Sequence, residues 1–162
     1  MSTTLQRLVI SPELLERGFW LYVWVIKLRG GRVVHYVGRT GDSSSANAQS
    51  PISRISGHLG PNKNANALQR HLRTHGIDFS GCEALEFVAQ GPLETEVESW
   101  NDYVLRRDRT HALERDLCDA MKEAGYEVMN EVTCRLRSEP KAWELVRAAF
   151  AERFERLAPS AQ

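Results

Sequence analysis

The sequence predicts an α+β fold: a small antiparallel three-stranded sheet flanked by helices, with an added C-terminal helix. Three observations predict it. Two runs rich in β-branched and aromatic residues, "WLYVWVIKL" and "RVVHYV", flank Gly30-Gly31 and read as a hairpin. "CEALEFVAQ" supplies a third strand, and helical apolar spacing dominates the remainder.

In chain order, Ser11-Pro12-Glu13 resembles a helix start, so "PELLER" reads as a short helix stopped by Gly18. The hairpin follows. Residues 39–51, "RTGDSSSANAQSP", form a long polar loop, of the kind that carries function more often than structure. "ISRISGHL" suggests a short helix on which Arg54 and His58, four apart, share a face. "NANALQRHLRTHG" reads as a second helix ending at Gly76, before the third strand. Leu93, Val97, Trp100 and Val104 predict an amphipathic helix over about 93–105. "THALERDLCDAMKEAG" predicts another, stopped by Gly125, and "YEVMNEV" a short edge strand or extended segment. The last helix, "SEPKAWELVRAAFAERFERL", turns Trp143, Val146, Phe150, Phe154 and Leu157 inward. The domain reading is an extension over 1–18, a body over 19–132 and a packed C-terminal helix over 133–162.

The longest apolar stretch, "FWLYVWVI", falls far short of the ~18 residues a membrane helix needs. The start lacks the pattern of a secretory signal, so the expected location is cytoplasmic. Cys82, Cys118 and Cys134 are widely spaced, without the paired ligands of a zinc site, and read as reduced structural thiols. The net charge of zero conceals an asymmetry. Residues 17–77 hold nine basic side chains against one acid, Asp42, with four histidines, whereas the chain from Asp78 onward is acidic. Such a split suits a polyanionic partner, or two halves that neutralise each other.

Singly, the polar residues of this pattern are ordinary: a strand tyrosine packs, and a helical glutamate is solvated. In order, "LYVWVI…HYVGRT…SRISGH…ALERDLCDAMKEAGYEVMN" resembles the GIY-YIG nuclease superfamily over about residues 19–132. Trp20-Leu21-Tyr22 stands at the first motif and Tyr36-Val37-Gly38 at the second. Arg54 and His58 fill the helix pair, Glu114 the acid and Asn130 the last position. The sequence departs in carrying Trp20 for the first-motif glycine and a longer loop after Gly38. The extra helix before Glu114 also offers a rival acid, Glu98. Glu114 is preferred because the glycine turn and Asn130 follow it at the usual distance.

The resemblance implies a divalent-metal-dependent DNA endonuclease. Glu114 would hold Mg²⁺ or Mn²⁺, Arg54 would fork onto the phosphate, and Tyr22, with Tyr36 alongside, would act as general base. A phenol titrates near ~10, so Arg39, Arg54 or the metal must lower it. His58 would transfer a proton or bind phosphate, Asn130 would hold the site together, and Gly38 would permit close approach. Arg39, Lys63, Arg70 and Arg73 could track the DNA backbone. No zinc finger or helix-turn-helix motif accompanies them. Two alternatives stay open: a catalytically decayed DNA-binding module on the same fold, and a non-enzymatic α+β protein-interaction domain.

Overall fold

A computed structural model describes residues 4–42, 47–61 and 66–159. Its three strands are β1 (Gly18–Leu28), β2 (Val33–Arg39) and β3 (Cys82–Thr95), all antiparallel in the order β2-β1-β3. Four helices pack on them: α1 (Pro51–Leu59), α2 (Ala67–Thr74), α3 (Trp100–Glu123) and α4 (Pro140–Ala151). The α+β class and the three-stranded sheet are therefore as expected.

β1 is the central strand and is covered on both faces, which explains its unbroken apolar run. Leu21, Val23 and Val25 pack with Leu117, Met121, Val146 and Phe150 of α3 and α4. Tyr22, Trp24 and Ile26 face the other way, joining Tyr36 of β2 and Leu68 and Leu72 of α2. The register pairs Tyr22 with Gly38 and Trp24 with Tyr36, so both tyrosines lie on the α1–α2 face.

Several local expectations need correction. The residues 12–15 form a 3-10 turn rather than an α-helix, and Gly18 opens β1 instead of ending a helix. One turn of chain with no apolar face to bury is too short to hold an α-helix. β3 runs on to Thr95, so Leu93 belongs to a strand; the helix expected over 93–105 begins only at Trp100 and continues without a break to Glu123. Its charged middle, "RRDRT", interrupts the apolar period without interrupting the backbone. Ser99 caps its start, and its Oγ accepts from Asp102 N at 3.5 Å.

Trp20 has a partner that accounts for its place. β1 bulges between Phe19 and Leu21, and a β-carbon at Gly91 of β3 would stand 2.7 Å from the Trp20 ring. The indole donates from Nε1 to Glu16 O at 3.1 Å. The room absent on β1 is thus made on β3.

The outer margin of β2 is closed by residues 127–130. His35 N donates to Glu127 O at 2.8 Å, and Met129 N donates to His35 O at 2.8 Å. Asn130 continues the ladder with its side chain: Val37 N donates to Oδ1 at 3.0 Å, and Nδ2 donates to Val37 O at 2.8 Å. The C-terminal helix packs on the body through Val146, Phe150, Phe154 and Leu157, with the last two beyond α4 itself. Among the described residues, no helix is long and apolar enough to cross a membrane.

Candidate functional site

The end of the hairpin opens into a cavity of about 430 Å³ between the sheet, α1, α2 and α3. It is lined by Tyr22, Tyr36, Gly38, Arg39, Arg54, His58, Arg70 and Glu114. Residues from five separate stretches of sequence, 22 to 114, thereby meet in one polar recess.

Each is positioned by its element. Tyr22 and Tyr36 project from paired strands on one face. Gly38 sits opposite Tyr22, and a β-carbon there would lie 2.5 Å from both Tyr22 Cζ and Oη. Its role is to admit the Tyr22 ring. Arg54 and His58 stand one turn apart on α1, whose N-cap is Ser50, with Pro51 in the first turn. The C-terminal carbonyls of α1 are held by the next helix. Asn66 donates from Nδ2 to Gly57 O at 2.7 Å, and Gln69 Nε2 donates to His58 O and Gly60 O, both at 2.9 Å. Glu114 reaches in from α3, where a helical period, not a loop, sets its direction.

His58 is buried, and its Nδ1 accepts from Trp24 Nε1 at 2.9 Å. Burial, helped by the nearby Arg54 charge, lowers its pKa to about 4. The neutral ring with Nδ1 accepting carries its proton on Nε2. It presents an N–H donor, suited to an anion rather than to taking a proton.

The tyrosines differ from expectation. Burial raises Tyr22 well above the usual phenol range, with neighbouring Tyr36 adding to it, and burial pushes Tyr36 up to about 12. Arg54 opposes both shifts but is outweighed. Arg39 is committed elsewhere: its Nε donates to Glu114 Oε2 at 2.8 Å and its Nη1 to Gly41 O at 3.1 Å. It steadies the carboxylate from within the cavity lining. Even so, burial holds the Glu114 pKa at about 7, with Arg39 pulling down and Asp42 pushing up.

Asn130 lies outside the cavity, behind β2, and acts through its two bonds to Val37. Arg70 lines the cavity, whereas Arg73 borders a small pocket with Leu72, Ile77 and Phe79 at the far end of α2. Lys63 falls outside the described residues. Glu98, the rival acid, borders a different recess with Asn47 and Glu96.

The sequence reading missed Asp42, Gln49, Ser53 and Asn66, which also line the cavity. Asp42 forms an ion pair with Arg54. The available signal was its being the one acid in a basic half of the chain. Gln49, Ser53 and Asn66 carry no such signal.

The donor set suits a hard cation. Glu114 offers carboxylate oxygen, no sulfur lines the cavity, and His58 Nδ1 is already engaged. Among the described residues no group of three or more His, Cys, Asp or Glu side chains is gathered for a metal. A cation here would keep most of its waters, as Mg²⁺ does beside one or two carboxylates and unlike a caged Zn²⁺.

Comparison of the chain with protein-family models, curated proteins and solved structures returns no match.

Proposed function

We propose that the protein is a divalent-metal-dependent DNA endonuclease that hydrolyses phosphodiester bonds through a site of GIY-YIG type. One observation carries the reading: five of the six side chains that the family resemblance singles out, Tyr22, Tyr36, Arg54, His58 and Glu114, line one cavity with Gly38. Chance matches in an unrelated interaction domain give no reason for that convergence. The basic surplus of residues 17–77 supports an anionic substrate, and Arg70 extends the positive lining toward α2.

The residues divide the work as follows. Arg54 binds the phosphate oxygens and stabilises charge that builds on them during attack. His58, neutral and donating from Nε2, adds a second hydrogen bond to the same anion. Glu114 holds the cation, and Arg39 steadies Glu114. Bound Mg²⁺ or Mn²⁺ would supply Lewis acidity and the positive field needed to ionise a water or a phenol. Once ionised, Tyr22 or Tyr36 would take a proton from the attacking water, whose oxygen bonds to phosphorus as the bond to the leaving oxygen breaks and that oxygen takes up a proton from solvent. Neither phenol is ready to do so at neutral pH on its own, because burial dominates both. Asn130 acts at a distance, fixing β2 beneath Tyr36.

That buried, protonated Tyr22 and the Arg39–Glu114 pair favour one second reading, a DNA-binding module on the same fold without turnover. Plasmid nicking with and without Mg²⁺ or Mn²⁺ separates the two. The nuclease reading expects metal-dependent cleavage lost in Glu114→Ala and Arg54→Ala. Salt-sensitive binding without cleavage, unchanged in Glu114→Ala, would establish the module instead.

A further inference from the structure

We propose that Asp42 is an internal competitor for Arg54: in the substrate-free site its carboxylate holds the guanidinium that a substrate phosphate must take. The inference rests on the nuclease reading for the identity of that phosphate, but its own geometry stands apart from it.

The chain directs Asp42 to this position. β2 ends at Arg39, and Gly41 turns with φ +74°, a conformation L side chains rarely adopt. A β-carbon at Gly41 would also strike the Phe19 ring at 2.5 Å. The carbonyl of Gly41 is held by Arg39 Nη1. The turn therefore places Asp42 at the cavity wall, where its Oδ1 accepts from Arg54 Nη2.

Arg54 is incompletely served in this arrangement. Its Nε is buried and has no hydrogen-bond partner among the described residues. A guanidinium N–H left unpaired in a buried setting costs free energy, so Asp42 holds Arg54 in an arrangement that a better ligand can improve. Exposure shows which partner yields: the Asp42 side chain is 43% exposed and that of Arg54 18%. Asp42 can turn into water at little cost, while Arg54 stays anchored on α1. A phosphate offers several acceptor oxygens against the carboxylate's two, and can meet Nε and Nη2 together. With its carboxylate end open to solvent, the pair is weak enough to be displaced.

The test uses the full chain and inorganic phosphate without divalent cation. Binding is followed by the ¹⁵N–¹H resonance of Arg54 Nε, assigned by its loss in Arg54→Lys. Asp42→Asn should lower the apparent dissociation constant for phosphate by roughly 2- to 5-fold, the range expected for losing one partly exposed charged partner. A residue that merely positioned Arg54 would weaken binding when replaced. Equal or weaker phosphate affinity in Asp42→Asn, with the amide spectrum otherwise intact, overturns the proposal, as does the absence of binding by both proteins. Anisotropy with a short DNA duplex separates it from the nuclease reading. Tighter phosphate binding by Asp42→Asn with no DNA binding by either protein upholds the competition and removes the nuclease. DNA binding by both with no gain for Asp42→Asn does the reverse.

Discussion

Replacing Glu114 by Gln should abolish a loss of stability that wild type suffers on going from acid to neutral pH. The carboxyl titrates at about 7 in the fold and 4.5 in a free chain. The folded chain therefore binds the proton more tightly, and its advantage is complete below about 4.5 and falls away as pH rises through about 7. Each tenfold in that gap corresponds to about 1.4 kcal/mol, so the wild type loses about 3 kcal/mol across the window. Only 13% of the Glu114 side chain is exposed, so water screens little of this. Glutamine keeps an oxygen for Arg39 Nε, which limits the damage from the substitution itself. Urea denaturation at intervals from about pH 5 to about pH 8 measures the difference curve between the two proteins. Taking the difference cancels the opposite trend from His58. Mg²⁺ at about pH 8 should restore part of the loss in wild type and none in Glu114→Gln, since a ligand of the native state stabilises it. Parallel curves for the two proteins would refute the reasoning, and would mean that Arg39 outweighs burial.

Three further outcomes are expected. Gly38→Ala should destabilise the fold by about 1–3 kcal/mol, the usual cost of overpacking, because the Tyr22 ring occupies the space; thermal melts should show most of that loss removed in a Tyr22→Leu background. The His58 imidazole should titrate near 4 by NMR, with stability falling as pH drops from 6.5 through that value; a midpoint at or above about 6 would refute its neutral, Trp24-bound state. Asn130→Ala should cost about 2–4 kcal/mol, leaving both polar groups of Val37 unpaired behind β2, and amide exchange at Val37 should accelerate.

Much of this was legible in the sequence because local pattern and tertiary environment agree. The hairpin announces itself through Gly30-Gly31, and α2 through the glycine stop that follows it, whereas the Ser50 cap and Pro51 start of α1 were hidden in what reads as a polar loop. Two failures share another cause. Leu93, Val97, Trp100 and Val104 mimic a helix period, yet Leu93 is in a strand and Trp100 is exposed. Apolar spacing alone does not say which residues find a core. The arginines of α3 concealed a continuous helix because the charges sit at its surface, where long stems tolerate any backbone that keeps their tips in water. At the site, residue order located five cavity side chains but not their pairings. That Arg39 serves Glu114, and Asp42 serves Arg54, depends on how a turn closes in space. Burial likewise reversed the expected sense of the tyrosine shifts, and burial is a property of the assembled fold.

The ladder between Val37 and Asn130 joins residues 93 positions apart. On a ribosome, β2 emerges well before Asn130, so the growing chain carries Tyr36 on a strand with a bare margin until residues 127–130 follow. Only when residues 127–130 have cleared the exit can that margin close, and by then α3, with Glu114, has already been delivered. The cavity is thus assembled only after residue 130 has followed α3 out, and fragments stopped before residue 127 hold its aromatic wall without the support that fixes it.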